Sequence, residues 1–386
     1  MTVPKVKRER TASVHGSTHF CIREFSMKKK ATKKRIILTA VFVFLLLAGA
    51  ACLLAVRNIS GMLLTQQAAE RWRGSSEIPY TQLTCFLPID QKVTLESVNS
   101  FRQVMMKRFQ EASLDVNSGE QLYVDAWSTA GKVNVSSSIG KSDVYACAVG
   151  GDFFHFHPLR LKSGSYISED DLMKDRVLLD EETAWLLFGS PDVQGQSFKL
   201  NGQYFVVAGV VEREDDFATK KAYTEGMGIF MAYEAYTELT KDDGINCYEV
   251  VMPEPVKGFA MSVAQDKFPI GRGEIINNTT RFSFGKLVKL AGQYGMRSMQ
   301  NKGVLYPYWE NAARYAEDIA ALLTALALVF LLLPAVTVLV VALRYLVYGK
   351  KKLEDELLPE LKENTEEAIR ARQYAHLQKK KNNTDK

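Results

Sequence analysis

The sequence predicts an α+β membrane protein in which two transmembrane helices flank an extracytoplasmic domain, an α/β lobe interrupted by a β-rich lobe. Three observations predict it. Two apolar runs, residues 36–56 and 319–348, are each long enough to cross a bilayer. Basic residues cluster on the outer flank of both runs. Between them the pattern moves from alternating strand and helix signals to short β-prone segments and back. The organisation that follows is a cytoplasmic basic tail (1–35), a first span (36–56), the domain (57–318), a second span (319–348) and a cytoplasmic charged tail (349–386).

Residues 36–56 carry no charge and reach about 31 Å as a helix, the thickness of a bilayer core. A cleaved signal peptide would have a shorter apolar stretch and would not begin 35 residues into the chain, so the run reads as an uncleaved anchor. The second run holds Arg344 as its only charge and Pro334 in its middle, and spans about 45 Å if continuous. A tilted or kinked helix with an interfacial end fits it. Arg23, Lys28, Lys29, Lys30, Lys33, Lys34 and Arg35 precede the first span, and Lys350, Lys351 and Lys352 follow the second. Because Lys and Arg near a span are retained in the cytoplasm, both termini are expected there. The net charge of +5 arises from residues 1–35, whose eleven Lys or Arg face only Glu9 and Glu24. The remainder is slightly acidic, so the tail faces lipid and a nucleic-acid partner is excluded.

Leu63 to Trp72 reads as a helical stalk leaving the membrane. Tyr80 to Leu87 reads as a strand, followed by an amphipathic helix over Leu95 to Leu114 with Val98, Phe101, Val104, Met105, Phe109 and Ala112 at three-and-four spacing. The β-rich insertion runs through Leu122 to Trp127, Lys132 to Val135, Val144 to Val149 and Asp152 to Phe156, then a strand from Arg176 to Leu179 and a short helix from Glu181 to Phe188. Asn201-Gly202 joins Ser197–Leu200 to Tyr204–Val211 as a hairpin. After a polar stretch, Glu212 to Glu225, strands are expected at Gly228–Met231, Tyr248–Met252 and Glu274–Ile276, with helices near Val256–Phe268 and Phe284–Tyr294.

Residues with chemical potential are few. Gly140-Lys141-Ser142 ends like a phosphate-binding loop, but the first glycine of that motif would fall at Val135. His155 and His157 could share a strand face, but no further histidine lies in the domain, and core or solvated histidines are expected rather than a metal site. Glu169-Asp170-Asp171, Asp180-Glu181-Glu182 and Glu214-Asp215-Asp216 sit at helix starts or turns, where carboxylates cap free amides. Cys85, Cys147 and Cys247 cannot all pair, and their spacing leaves open whether two of them do. No catalytic, cofactor-binding or metal-binding residue is assigned, no cofactor is expected, and the chain is read as a non-enzyme. After Lys352 the interrupted leucine stripe reads as a solvated tail.

Gly151-Asp-Phe-Phe, Leu161-Lys-Ser-Gly-Ser-Tyr-Ile-Ser-Glu-Asp-Asp, Val177-Leu-Leu-Asp-Glu-Glu-Thr-Ala-Trp-Leu-Leu-Phe-Gly and the stretch from Val193 to Val211 occur in an order and spacing that resemble the extracytoplasmic core domain of MacB-type ABC transporter permeases. The resemblance covers about half of the domain, and the layout of span, domain, span extends it. It implies a domain that relays motion between membrane and external partners without binding nucleotide. Such permeases have four spans and a cytoplasmic segment after the second that contacts the ATPase. Here Lys350-Lys-Lys-Leu-Glu-Asp-Glu-Leu stands in that place, and the last two spans of the FtsX-like permease region do not follow.

The expected function is therefore a MacB-like permease component in a bacterial cell membrane. It would work beside a full-length permease and, indirectly, an ABC ATPase, with the lipid bilayer as its other partner. The alternative is a membrane-anchored sensor or adaptor that binds a peptide, lipid or protein outside the cell.

Overall fold

A computed structural model describes residues 14–114, 121–223, 228–297, 304–353, 355 and 358–382. The chain forms two units, Met1–Ala51 with Leu326–Lys386, and Cys52–Ala325. In chain order the helices are α1 (Val14–Met62), α2 (Ala68–Arg73), α3 (Leu95–Glu111), α4 (Phe153–Phe156), α5 (Glu181–Phe188), α6 (Thr219–Ala222), α7 (Tyr233–Thr240), α8 (Phe259–Lys267), α9 (Phe284–Arg297), α10 (Tyr308–Lys352) and α11 (Leu358–Asn382). The strands are β1 (Tyr80–Phe86), β2 (Val124–Ser136), β3 (Lys141–Gly151), β4 (Leu161–Gly164), β5 (Arg176–Asp180), β6 (Ser197–Leu200), β7 (Gln203–Val211), β8 (Ile229–Ala232), β9 (Cys247–Pro253) and β10 (Glu274–Asn277).

The first unit contains the apolar stretch of α1 up to Ala51, α10 from Leu326 onward, and α11. Its large apolar side chains, Leu47, Val329 and Leu332 among them, are about two-thirds exposed. A soluble core helix would bury them, whereas a membrane span presents them to lipid. α1 and α10 pass closely at Gly49, where a Cβ would stand 2.6 Å from Leu331 Cγ. α10 is unbroken through Pro334. The tail after Lys352 forms α11, with Leu358, Leu361 and Ile369 exposed.

The second unit is built on one ten-stranded sheet in the order β10-β1-β9-β2-β3-β8-β5-β7-β4, with β6 pairing both β2 and β7. The α/β and β-rich regions therefore share a sheet, joined by the long β2–β3 hairpin, which pairs from Ala126–Gly151 to Ser136–Lys141. Two of the expected short strands, around Trp127 and Val133, are one continuous β2. One face of the sheet is covered by α3, α5, α7 and α8, with Val98, Phe101, Met105 and Phe109 of α3 buried at the three-and-four spacing read from the sequence. The opposite face carries Phe86, Val124, Cys147, Phe230 and Val251 against α2, α4 and the segment from Val304 to Trp309.

Local chemistry sets several element ends. Asp180 Oδ1 accepts the Thr183 amide at 2.7 Å and starts α5. Asn201 and Gly202 have φ of +47° and +90°, the two left-handed residues of a type I′ turn, so Leu200 pairs Gln203. Two expectations differ. The stalk from Leu63 to Trp72 is a 3-10 turn followed by α2, with Thr65, Gln66, Ala68 and Ala69 buried, because Gln82 on β1 holds this segment against the sheet. Asp152 to Phe156 is not a strand. The chain turns out of β3 at Gly151, and α4 drives Phe153 and Phe156 into the second core.

The strand registers explain the thiols. Cys85 faces the helix-covered side, while Cys147 and Cys247 face the other, opposite Ala130 and Ser128 on either side of β2. Two strands apart is roughly 10 Å, beyond disulfide reach. All three are buried free thiols.

Candidate functional site

The residues singled out by sequence do not converge on a catalytic centre. Lys141 is the first residue of β3, directly after the β2–β3 turn, with no helix following the glycine. A phosphate-binding loop needs its lysine at a helix start. Asp171 accepts the Ser168 amide at 3.0 Å, and Asp216 accepts those of Ala218 and Thr219 at 2.9 and 3.0 Å, so the acidic clusters do cap turns. His155 and His157 lie on the α4 turn and separate. His155 Nε2 meets the Ala68 carbonyl at 3.2 Å and its ring abuts Trp72, whereas His157 is buried beside Glu249. Among the described residues, no three His, Cys, Asp or Glu are grouped to hold a metal ion.

What the fold brings together is a set of buried polar anchors at the foot of the domain, where the chain leaves α1 and enters α10. Gln82, fully buried on β1, accepts the Ala68 amide at 3.0 Å and donates to the Thr65 carbonyl at 2.7 Å. It satisfies two backbone groups that would otherwise be stranded in the core. This fixes the segment after α1 to the sheet.

The entrance to α10 is fixed more strongly. Arg281, 2% exposed, donates Nη1 and Nη2 to the two carboxylate oxygens of Glu310 at 2.7 and 2.8 Å, and Nε to Glu317 at 2.9 Å. Its Nη1 also reaches Gln66 Oε1 at 3.4 Å, linking the α1 exit to the same guanidinium. Arg314 binds Glu310 at 2.6 Å and Glu274 of β10 at 2.8 Å, with its guanidinium 3.9 Å over the Tyr306 ring. Burial alone would lower the Arg281 pKa, but Glu310 and Glu317 outweigh it and hold it above its ordinary value. Glu310, Arg314 and Glu317 lie on one face of α10, one and two turns apart, so one helical stripe meets the β10–α9 segment.

A second polar group surrounds Trp309. His157 Nε2 contacts Glu249 Oε2 at 2.5 Å, its ring lies 4.4 Å from the Trp309 ring, and Thr84 donates to the other Glu249 oxygen at 3.2 Å. Asn278 donates to Thr84 at 2.7 Å. Tyr308 stacks on Tyr223 at 4.3 Å and hydrogen bonds Glu214, whose carboxyl burial raises above its ordinary value. Beside them, a cavity of about 470 Å³ lies under the segment from Leu305 to Trp309, lined also by Tyr145, Cys147, Tyr223 and Cys247.

Sequence reasoning did not single out Gln82, Glu249, Arg281 or Glu310. The readable signal was the alternation Glu310, Arg314, Glu317 on one helical face immediately before an apolar run. The arrangement ties both membrane-proximal segments to one sheet.

Residues 98–257 match the family of the MacB-like periplasmic core domain. No curated protein matches the sequence. Among solved structures, the periplasmic region of MacB from Actinobacillus actinomycetemcomitans is similar at 15% identity, over 61% of this chain and 100% of that one, with a TM-score of 0.37. The extracellular domain of the noncanonic ABC-type transporter YknZ from Gram-positive bacteria is similar at 14% identity, over 51% of this chain and 100% of that one, with a TM-score of 0.34. With two helices long and apolar enough to cross a membrane on either side of the matched region, the chain is a membrane protein that carries a MacB-like periplasmic core domain outside the cytoplasm.

Proposed function

We propose that the chain is a permease component of an ABC-type transport complex that relays motion between the membrane and the extracytoplasmic side, with no ATPase activity of its own. The observation that carries this reading is the joint at α10. Beyond the matched region, Arg281 of the β10–α9 segment and Glu274 of β10 grip Glu310, Arg314 and Glu317 in the first turns of a membrane helix, a joint through which a shift of that helix would reach the sheet. A flexible tether would need no buried ion pairs there. Basic flanks at Lys28–Lys30 and Lys350–Lys352 support cytoplasmic termini.

The match to the MacB-like periplasmic core domain supports a partner permease and, through it, an ABC ATPase. Photo-crosslinkers placed from Leu322 to Leu343 should trap that permease, on one face of the helix. Crosslinks to lipid alone, with no ATPase co-purifying in mild detergent, would overturn the transport reading. The cavity under Leu305 to Trp309 favours the sensor or adaptor as second reading, since a ligand there would touch the same segment that leads into α10.

A further inference from the structure

We infer that α9 is a membrane-surface helix whose uncovered apolar edge enters the leaflet facing the extracytoplasmic domain, with its lysines on anionic lipid headgroups. The inference uses the membrane location of the chain and is independent of the transport reading.

Packing sets the depth. Leu287, 1% exposed, sits with Ala320 and Ala321, and Val56, Leu290 and Ala291 pack around them. Val56 is the last residue of the first apolar run, and Ala320 and Ala321 are the second and third of the other. α9 therefore lies at the water–hydrocarbon boundary of both runs.

The apolar side of α9 is wider than the surface that covers it. At 3.6 residues per turn, Leu290, Leu287, Ala291, Phe284 and Val288 occupy an arc of about 160°. Leu287 closes one part of that arc, while Phe284 and Val288, one turn apart, are 57% and 38% exposed. An aromatic and a β-branched side chain exposed together at the membrane boundary have lipid as their nearest apolar medium.

Charge selects the lipid. Between Glu274 and Glu310 the sequence contains five Lys or Arg and no Asp or Glu. Lys286 and Lys289 are exposed on the polar side of α9, where long stems let ammonium groups reach phosphates while the apolar edge is immersed. Lys286 Nζ also donates to Thr280 Oγ1 at 2.7 Å, which holds its stem at the foot of the domain. The carboxylates of Glu310 and Glu317 are held by Arg281 and Arg314.

The test places a benzophenone amino acid at Phe284, at Val288 and, as a control, at Tyr204 of the β6–β7 hairpin, in full-length chain in nanodiscs of mixed phosphatidylglycerol and phosphatidylcholine. Intact mass after irradiation is expected to show lipid adducts at the two α9 positions and none at Tyr204. Adducts should be enriched in phosphatidylglycerol at least two-fold over the bulk ratio, and Lys286→Gln with Lys289→Gln should abolish that enrichment. Absence of lipid adducts at both α9 positions, or adducts to a second copy or another protein, would overturn the immersion. Adducts without enrichment would overturn the headgroup assignment.

Discussion

Arg281 donates two parallel hydrogen bonds to the carboxylate of Glu310 in a buried site, each side chain 2% exposed. A guanidinium matches a carboxylate in this geometry, and the pair holds α10 against the β10–α9 segment at a fixed rotation. Removing one partner strands the other charge. Arg281→Met is expected to cost about 3–5 kcal/mol, and the double variant Arg281→Met/Glu310→Met to recover part of the loss. Unfolding of the detergent-solubilised chain measures it, and a single variant as stable as the parent would show the pair contributes nothing.

Glu214 predicts a pH dependence. Burial raises its carboxyl above the ordinary 4.5, against the lowering by the Tyr308 hydrogen bond and His157, with Asp216 adding to the rise. The folded chain thus holds this proton more tightly than the unfolded one. Its contribution is full below 4.5 and falls as pH rises from there through the folded value. Glu214→Gln keeps the group neutral, so its Tm should fall less than the parent's over that window. Parallel Tm curves would refute the assignment.

Lys141 predicts a null result. Because it opens β3 and no helix follows the preceding turn, Lys141→Ala should leave ATP turnover of any complex purified with this chain unchanged. Loss of turnover in a folded variant would identify a nucleotide contact at this hairpin.

Topology gives the fourth test. Tyr204→Cys, 68% exposed on β7, should react with an impermeant maleimide in intact cells, while cysteines introduced at Lys29 and Lys380 should react only after lysis. Labelling at Lys380 from outside would reverse the orientation.

Much of the fold was legible wherever the signal is local. Asn201-Gly202 specified its hairpin through backbone conformation, and Asp180 specified the start of α5 through one amide. The apolar spacing of α3 gave its start and most of its buried face, although the helix ends at Glu111 rather than Leu114 and Val104 is only half-buried. Misreadings came where distant residues decide. Phe153 and Phe156 are β-prone, yet their partners on the sheet and at Trp309 favour a helical turn. α7 went unread because its buried residues, Tyr233 and Tyr236, are amphipathic aromatics that carry little periodic signal over two turns. The anchors were least visible. Gln82 serves residues 14 and 17 positions away, and Glu249 meets His157 across 92, so both look like ordinary surface polars until strands pair.

The length of β2 has a consequence for amplitude. Its first residues pair with β9 near the anchored foot, and its last, Val135 and Ser136, pair with β6. Thirteen residues of strand extend about 43 Å. Pinned to neighbours along its whole length, the strand turns only with its sheet, and a 10° rotation of the sheet about its foot carries the far end of the hairpin through about 7.5 Å. Under the proposed relay, a small tilt at the first turns of α10 would reach the far end of the hairpin as a displacement larger than a side chain.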